Sequence, residues 1–319
     1  MIPSGNPWVV VDEIQRIPAL LNEVHRLIEG KKLKFLLTGS SARKLRRGGV
    51  NLLAGRALTR AMHPLTAVEM GADFNLSKAL RVGLLPSAQA KDAGDYLATY
   101  VKTYLDEEVR QEGLTRNLMS FARFLEAASF SQASPLNTSA VARECAVDRK
   151  VVESYFGILD DLLIAQRVPV FTKKSKRRLV SHSKFFFFDV GVFRTLRPSG
   201  PLDTPEDMEG PACETLLLQN IQAINDALGL GYGVYYWRTS DGTEVDFVLY
   251  GPRGFFGIEV KRGRRYQPES LRGLASFKSD YPSAKTFLVY GGDRRFQEGF
   301  IQVWPLTDFL MGLPDILKG

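Results

Sequence analysis

The stretch that decides the fold of the C-terminal part of the chain is TEVDFVLYGPRGFFGIEVK, residues 243–261. It contains two apolar runs, 244–250 and 254–261, which the turn-forming residues Gly251-Pro252-Arg253 separate. Two such runs around a Gly-Pro turn predict a β-hairpin. Around it, the residue pattern predicts a helix, a strand, a second helix and a last strand at 213–227, 234–237, 269–279 and 286–290. This part of the chain is therefore predicted to be an α/β unit.

The second strand of this hairpin carries a candidate catalytic pair. Side chains alternate along a strand, so Glu259 and Lys261 share one face while Val260 points to the other. The neighbouring strand can bring Asp246 beside Glu259, and two converging carboxylates make a Mg²⁺ site. Such a metal polarises a phosphodiester and lowers the pKa of a bound water, while Lys261 orients that water or offsets developing charge. The other interpretation is an exposed strand whose alternating charges are only solvated.

Asp246 followed by Glu259-Val260-Lys261 resembles the D…E-x-K signature of the restriction-endonuclease-like nucleases. The resemblance implies catalytic roles for Asp246, Glu259 and Lys261, and metal ligation by Glu214, Asp246 and Glu259. Glu214 lies on the predicted helix before the hairpin and matches an additional acidic position of such folds. The residue before Asp246 is Val245, where these nucleases usually have Pro. A scaffold of this type that binds without cleaving is the alternative, because folds are reused without their chemistry.

A second candidate site lies near the beginning of the chain. The apolar run Trp8-Val9-Val10-Val11 predicts a strand buried on both faces of a parallel sheet, and it ends in Asp12-Glu13. A predicted helix at 18–29 and a second buried strand at 34–38 follow, which is half of a doubly wound domain. This is the Walker B arrangement, in which Asp12 holds Mg²⁺ through water and Glu13 orients the attacking water. Two solvated acids at a strand end are the alternative interpretation.

The segments VVDEIQRIP (10–18), FLLTGSSA (35–42), LAGR (53–56) and HPL (63–65) together resemble AAA-type ATPases of bacteria and archaea with a C-terminal domain of unknown function. The resemblance implies ATP binding with Asp12 and Glu13. The resemblance places Ser40 or Ser41 where a sensor residue detects the γ-phosphate. It also makes Arg56 a candidate phosphate-responsive arginine. A solvated surface role for Arg56 is equally open.

The chain contains no G-x-x-x-x-G-K-[ST] loop, and only seven residues precede Trp8. Without the backbone amides and the lysine of that loop, phosphates are poorly held. We therefore expect no autonomous ATP hydrolysis, and ATP binding only if an upstream segment supplies the loop. The chain is expected to be a truncated gene product, a fragment, or a descendant that lost the loop.

The middle of the chain predicts a winged-helix-like unit. An N-cap cluster at Asn137-Thr138-Ser139 begins a short helix, a longer helix follows at 149–163, and strands at 168–171 and 185–188 flank a basic hairpin. The hairpin carries five cations, which we expect to contact DNA phosphates: Lys173, Lys174, Lys176, Arg177 and Arg178. A solvated hairpin on a packing module is the alternative.

The composition is compatible with this organisation. Lys and Arg outnumber Asp and Glu by 42 to 35, a formal net charge of +7 that suits a polyanionic partner only where the charge is clustered. Two cysteines and three histidines do not suit a structural zinc site. No leader and no apolar run of about 20 residues occurs, so we expect a cytoplasmic protein without a membrane span.

The sequence thus predicts an α/β chain in three parts. Residues 1–75 form a partial P-loop-type parallel sheet, residues 76–200 a helical and winged-helix-like region, and residues 201–319 a restriction-endonuclease-like α/β domain, with a linker at 198–211. The leading hypothesis is a nucleic-acid-binding protein whose C-terminal domain cleaves DNA with Mg²⁺. The alternative is a non-catalytic DNA- or partner-binding regulator derived from an ATP-dependent switch. A homo-oligomer, and an ATPase segment supplied from upstream, are further expectations.

Overall fold

The computed structural model describes residues 8–39, 53, 56–104, 109, 117–175, 177–201, 203–265 and 267–319. Helices occur together with parallel and antiparallel sheets, which confirms the predicted α/β class. The chain divides into two compact units: Met1–Arg60 with Phe156–Ile164, and Ala61–Tyr155 with Ala165–Gly319. No helix within the described ranges is long and apolar enough to cross a membrane.

The first unit contains a strand, a helix and a second strand, as predicted. They are β1 (Trp8–Val11), α1 (Leu20–Lys31) and β2 (Lys34–Leu37), and the two strands pair in parallel. Since parallel strands run in the same direction, Asp12 and Thr38, which follow β1 and β2, come to the same edge.

The prediction that these two strands are buried on both faces is wrong. Side chains of β1 and β2 alternate in exposure, and Trp8, Val10 and Leu36 are 64%, 62% and 52% exposed. Within the described residues this sheet has two strands. Its β-branched and aromatic side chains are typical of a parallel sheet covered on both faces, but here some of them are exposed.

The second unit begins with short helices. Three of them start at an asparagine whose side-chain oxygen accepts an amide hydrogen bond: Asn75, Asn117 and Asn137. The predicted N-cap at Asn137 is thus confirmed. In chain order the helices are α2 (Ala67–Met70), α3 (Leu76–Val82), α4 (Ala93–Thr99), α5 (Leu118–Ser129), α6 (Thr138–Cys145) and α7 (Arg149–Asp161), the last of which continues into the first unit.

Two sheets follow. The smaller has the order β3-β5-β4 with antiparallel neighbours, formed by β3 (Ser134–Pro135), β4 (Ala165–Val168) and β5 (Lys184–Phe187). The larger has six strands in the order β10-β11-β9-β8-β7-β6. Its strands are β6 (Gly233–Arg238), β7 (Glu244–Gly251), β8 (Gly254–Lys261), β9 (Lys285–Tyr290), β10 (Phe296–Glu298) and β11 (Ile301–Pro305).

Four helices accompany these sheets: α8 (Val190–Leu196), α9 (Pro205–Ala227), α10 (Arg272–Asp280) and α11 (Leu306–Lys318). Strands β6, β7 and β8 are antiparallel, whereas β8 and β9 are parallel and are joined through α10. The predicted hairpin and the elements around it are confirmed. Strands β10 and β11 and helix α11 are additional elements that the sequence analysis missed.

The predicted linker at 198–211 is wrong in its second half. Helix α9 begins at Pro205, because Thr204 and Asp207 form a reciprocal capping box before it. Proline suits the first helical position, since the backbone N–H that it lacks would have no partner within the helix. Pro211 lies inside the helix.

Strand β7 contains a β-bulge beside the candidate site. Trp237 pairs with Val245 and Tyr235 with Val248, so two residues of β7 oppose one residue of β6. Val245 and Val248 therefore join the same hydrophobic cluster, under α10, although they are three positions apart. The two residues between them, Asp246 and Phe247, both contact β5 on the other face.

The basic segment between β4 and β5 does not form the predicted free wing. Its ends run along the edge strand β6, where the Phe171 amide donates to the Tyr236 carbonyl at 2.7 Å and the Val180 amide to the Arg238 carbonyl at 3.1 Å. The edge of β6 offers unpaired backbone groups, and this segment satisfies them.

A tight contact between α10 and β7 gives a test of this packing. A Cβ added at Gly273 would lie 2.0 Å from the Glu244 carbonyl oxygen, whereas one added at Gly210, in α9, meets nothing within 4 Å. We expect Gly273→Ala to lower the free energy of unfolding by about 1–3 kcal/mol, because backbone must move. Gly210→Ala should raise it by about 0.5–1 kcal/mol through helix propensity. Urea denaturation measures both, and equal effects would contradict the described α10–β7 contact.

Candidate functional site

Four charged side chains of the second unit meet between β5, β7 and α9, and we call them the Lys184 cluster: Lys184, Glu214, Glu244 and Asp246. The Lys184 Nζ lies 3.0 Å from Glu214 Oε2 and 3.1 Å from Asp246 Oδ1, and it also pairs with Glu244 Oε1. Lys184 is only 1% exposed. A buried ammonium with three carboxylate partners uses all three of its donors.

The carboxylates keep this buried lysine charged. Burial alone lowers the pKa of Lys184, but the negative charges of Glu214, Asp246 and Glu244 outweigh it and hold that pKa well above its usual range. Burial raises the pKa of Glu214 to about 8, and repulsion from Asp246 adds to this effect.

Asp246 is held by both of its oxygens. While Oδ1 faces Lys184, Oδ2 accepts a hydrogen bond of 2.9 Å from the backbone amide of Val260. Strands β7 and β8 pair only from Phe247 and Ile258 to the turn between them. The Val260 amide lies beyond the end of this pairing, and the Asp246 carboxylate is its acceptor. The β-bulge thus directs Asp246 toward β8 and β5 at the same time.

Glu259 and Lys261 form a second pair on β8. Their side chains contact each other at 2.7 Å, as the alternation of a strand predicts. Glu259 Oε2 is buried and has no hydrogen-bond partner among the described residues. Burial raises the pKa of Glu259 to about 8, with repulsion from Asp246 as the next cause. Burial lowers the pKa of Lys261, yet the charges of Glu259 and Asp246 raise it, to about 12 overall.

A depression of about 460 Å³ lies beside this pair. Charged and polar side chains line it, among them Glu244, Glu259, Lys261, Glu269, Ser270 and Arg272. Asp246 and Glu214 are not among its lining residues. The predicted catalytic residues are therefore neighbours, but only two of the three face the open depression.

The predicted metal ligands do not fit Mg²⁺ in this arrangement. Mg²⁺ needs oxygen ligands at about 2.0–2.1 Å. Both oxygens of Asp246 have partners, and Glu214 Oε2 and Glu259 Oε1 are paired with lysines. Within the described ranges, no group of three His, Cys, Asp or Glu side chains is arranged to hold a metal ion. The catalytic and metal roles given to Asp246, Glu259, Lys261 and Glu214 stay predictions.

The predicted nucleotide residues of the first unit lie in polar contacts of their own. Thr38 Oγ1 donates to Asp12 Oδ1, and Gln15 Nε2 donates to Glu13 Oε2 at 2.7 Å. Arg56 forms an ion pair with Glu29, with 2.6 Å between Nε and Oε1. Ser40 lies outside the described residues. Thr38 and Gln15 were missed by the sequence analysis, and their position next to the Asp12-Glu13 run was the available signal.

The five cations predicted to contact nucleic acid divide into different environments. Lys173 Nζ lies 4.5 Å from the centre of the Tyr250 ring, and Arg177 Nε donates to the buried carboxylate of Asp280 at 2.9 Å. Lys174 and Arg178 are exposed. Lys176 is outside the described part of the chain. Two of the five therefore hold the segment against its neighbours.

A further group of arginines lies past the carboxyl ends of β8 and β9, and we call residues 262–265 and 291–295 the arginine loops. The Gly291 amide donates to the Gly263 carbonyl at 3.1 Å, which ties the two loops together. Arg264, Arg265 and Arg294 are exposed. The pairing of β8 with β9 brings the two loops together, and the sequence of either strand alone does not reveal it.

Lys184 is a residue of the Lys184 cluster to which the sequence analysis gave no role. It begins the strand Lys184-Phe185-Phe186-Phe187, in which every residue is buried. A lone cation in an otherwise aromatic buried strand must find a carboxylate, and that was the available signal.

Three family models match consecutive parts of the chain. An AAA domain matches residues 1–71, a domain of unknown function (DUF8612) residues 74–203, and another domain of unknown function (DUF4143) residues 209–309. Two curated relatives, uncharacterized proteins of Mycobacterium bovis and Mycobacterium tuberculosis, are each 27% identical over 314 residues, covering 96% of this chain and 68% of theirs.

Among solved structures, protein VC1899 from Vibrio cholerae covers 99% of this chain and 82% of its own, with 13% identity and a TM-score of 0.27, too low to argue from. The AAA domain at the N-terminus and DUF4143 toward the C-terminus support an AAA-type ATPase-like family with a C-terminal domain of unknown function.

Proposed function

We propose that this ATPase-like chain binds nucleic acid through its C-terminal sheet and does not cleave it. The observation that carries the proposal is the set of exposed arginines on the arginine loops: Arg264, Arg265 and Arg294. These loops follow the carboxyl ends of the parallel strands β8 and β9, the edge at which α/β sheets bind ligands.

The arginine loops are held in a fixed shape. The Tyr290 hydroxyl donates to the Arg294 carbonyl at 2.9 Å and accepts from its amide at 3.3 Å. Arg295 lies over the Trp304 ring at 3.9 Å and pairs with Asp308 at 2.8 Å. Cations on a preorganised backbone lose less entropy on binding than cations on a flexible loop.

The acidic neighbours leave three arginines available to a ligand. Arg262 pairs with Glu206 and Glu209 of α9 and thereby anchors the loop after β8. Arg264 approaches Asp293 only at 3.9 Å, and both side chains are largely exposed. A pair of this kind contributes little in water, so an incoming phosphate competes with it easily.

The chemistry of these groups favours phosphate. A guanidinium presents two parallel N–H donors that match two phosphate oxygens. The net charge of +7 favours the approach of a polyanion, and the exposed Lys174 and Arg178 add to the cationic surface of the second unit. Contacts of this type recognise the backbone and not the sequence of bases.

Cleavage of the bound strand is the second candidate. It is favoured by the unpartnered Oε2 of Glu259 and by Lys261 in the same depression. Against it stands the pairing of Asp246 and Glu214 with Lys184, and in the part of the chain that the structure describes no three His, Cys, Asp or Glu side chains are arranged to hold a metal ion. These contacts favour binding without cleavage, and a response to ATP through Asp12 and Glu13 is a further part of the proposal. ATP and Mg²⁺ enter this proposal only together with a phosphate-binding loop.

Removing Arg264 and Arg265 tests the binding surface. We expect Arg264→Ala/Arg265→Ala to weaken binding of a fluorescein-labelled DNA duplex and to reduce the slope of log Kd against log salt concentration by about 2, because two phosphate contacts are lost. Fluorescence anisotropy over a series of salt concentrations measures both quantities.

The matched control removes two cations from the opposite edge of the same sheet. Arg253 and Lys285 lie where β8 and β9 begin, and both are exposed. About seven residues of strand, roughly 23 Å, separate them from the arginine loops. Arg253→Ala/Lys285→Ala should retain the wild-type salt slope. Equal losses in the two double variants would count against a specific surface, and no binding by the wild type would reject the proposal.

A plasmid-nicking assay with Mg²⁺ or Mn²⁺ separates binding from cleavage. We expect both the wild type and Lys261→Ala to leave supercoiled plasmid intact. The reason is that both oxygens of Asp246 already have partners, the Val260 amide and the Lys184 ammonium. Metal-dependent nicking by the wild type that Lys261→Ala abolishes would establish the nuclease instead.

A further inference from the structure

We infer that the ammonium group of Lys184 is the resident cation of the carboxylate cluster and excludes a divalent metal from it. This inference concerns which cation the cluster accepts, and it holds whether or not the arginine loops bind nucleic acid. The Lys184 side chain thus occupies the position in which the sequence resemblance implied Mg²⁺.

The ammonium of Lys184 lies among the carboxylate oxygens that a metal would need. Lys184 Nζ contacts one oxygen from each of three carboxylates, which come from α9 and from two positions of β7. A metal bound by Asp246 would either share Oδ1 with the ammonium or break the hydrogen bond from the Val260 amide to Oδ2, and Glu214 already gives Oε2 to the ammonium. The ammonium and the metal therefore compete for the same oxygen atoms.

The charges around Lys184 also disfavour a divalent ion. Four carboxylates, those of the Lys184 cluster and Glu259, face three cations: Lys184, Lys261, and Arg238, which pairs with Glu244 at 2.9 Å. With all four carboxylates ionised, the group carries one net negative charge, and a divalent ion would invert it. Protonation of Glu214 or Glu259, whose pKa values burial raises, makes the group more positive and a divalent ion still less favourable. Without Lys184, the ionised groups carry two net negative charges, which a divalent ion neutralises. Buried charges that remain unbalanced are strongly unfavourable.

Lys184 is also held in place by the strand to which it belongs. Its strand pairs with Val168 on one side and Pro135 on the other, and the three phenylalanines that follow are at most 1% exposed. The Lys184 ammonium also lies 5.5 Å from the centre of the Tyr236 ring. Removing the ammonium from the cluster would require β5 to leave its sheet or the side chain to bury its charge elsewhere.

Replacing Lys184 should convert the cluster into a site for a divalent cation. We expect the melting temperature of the wild type to be unchanged by millimolar Mn²⁺. Lys184→Ala should melt at a lower temperature without metal, because Glu214, Glu244 and Asp246 lose the cation that they share, and Mn²⁺ should raise its melting temperature again. Differential scanning fluorimetry measures the shift, and isothermal titration calorimetry measures the stoichiometry, expected to be one Mn²⁺ per chain for the variant.

Two further variants decide whether the gained site is this one. Lys184→Ala/Glu214→Gln should lose the Mn²⁺ response, whereas Lys285→Ala, an exposed lysine on β9, should behave as the wild type does. If Lys184→Ala does not fold, calorimetry on the wild type is sufficient: absence of Mn²⁺ binding supports the inference. Stoichiometric Mn²⁺ binding by the wild type that Asp246→Asn removes would overturn it, as would a folded Lys184→Ala that does not bind Mn²⁺.

Discussion

The ion pairs of the buried Lys184 are the constraint on which the second unit depends. One ammonium joins β5 of the smaller sheet to α9 and to β7 of the larger sheet. Its charge is retained because three carboxylates stabilise it more than burial destabilises it. Truncating a partner of such a cluster leaves uncompensated buried charge and typically costs about 3–5 kcal/mol. The same contacts that hold the sheets together therefore also determine which cation the carboxylates accept.

The β-bulge in β7 explains how a hydrophobic strand presents an acid at this place. By inserting one residue, it directs Val245 and Val248 to the apolar cluster under α10, while Asp246 and Phe247 face β5. A regular strand would have sent Asp246 and Phe247 to opposite faces. The parallel β8 and β9 then carry the arginine loops on one edge, beside the depression that Lys261 lines. The Lys184 cluster and the edge proposed to bind nucleic acid thus both involve the larger sheet.

The sequence predicted the elements whose signals are local. The hairpin after Glu244, the pairing of Glu259 with Lys261 and the N-cap at Asn137 follow from alternation and capping. It did not predict that Lys184 would enter the acidic site, because its contacts with Glu214 and Asp246 join residues 30 and 62 positions apart and the second depends on the bulge. The basic segment failed as a free wing for a similar reason, since its backbone pairs with an edge strand that lies much later in the chain. The proximity of the arginine loops could not be predicted either, because it depends on the pairing of β8 with β9.

A crystal structure of the wild-type protein soaked with Mn²⁺, with anomalous diffraction at the manganese edge, tests most directly whether Lys184 is the cation of the cluster. If Lys184 is the cation of the cluster, the anomalous map will show no peak among Glu214, Glu244 and Asp246, and the lysine side chain will reach the three carboxylates. An anomalous peak within about 2.3 Å of Asp246 and Glu259 oxygens, with Lys184 turned away, would contradict the account and restore the metal-dependent nuclease.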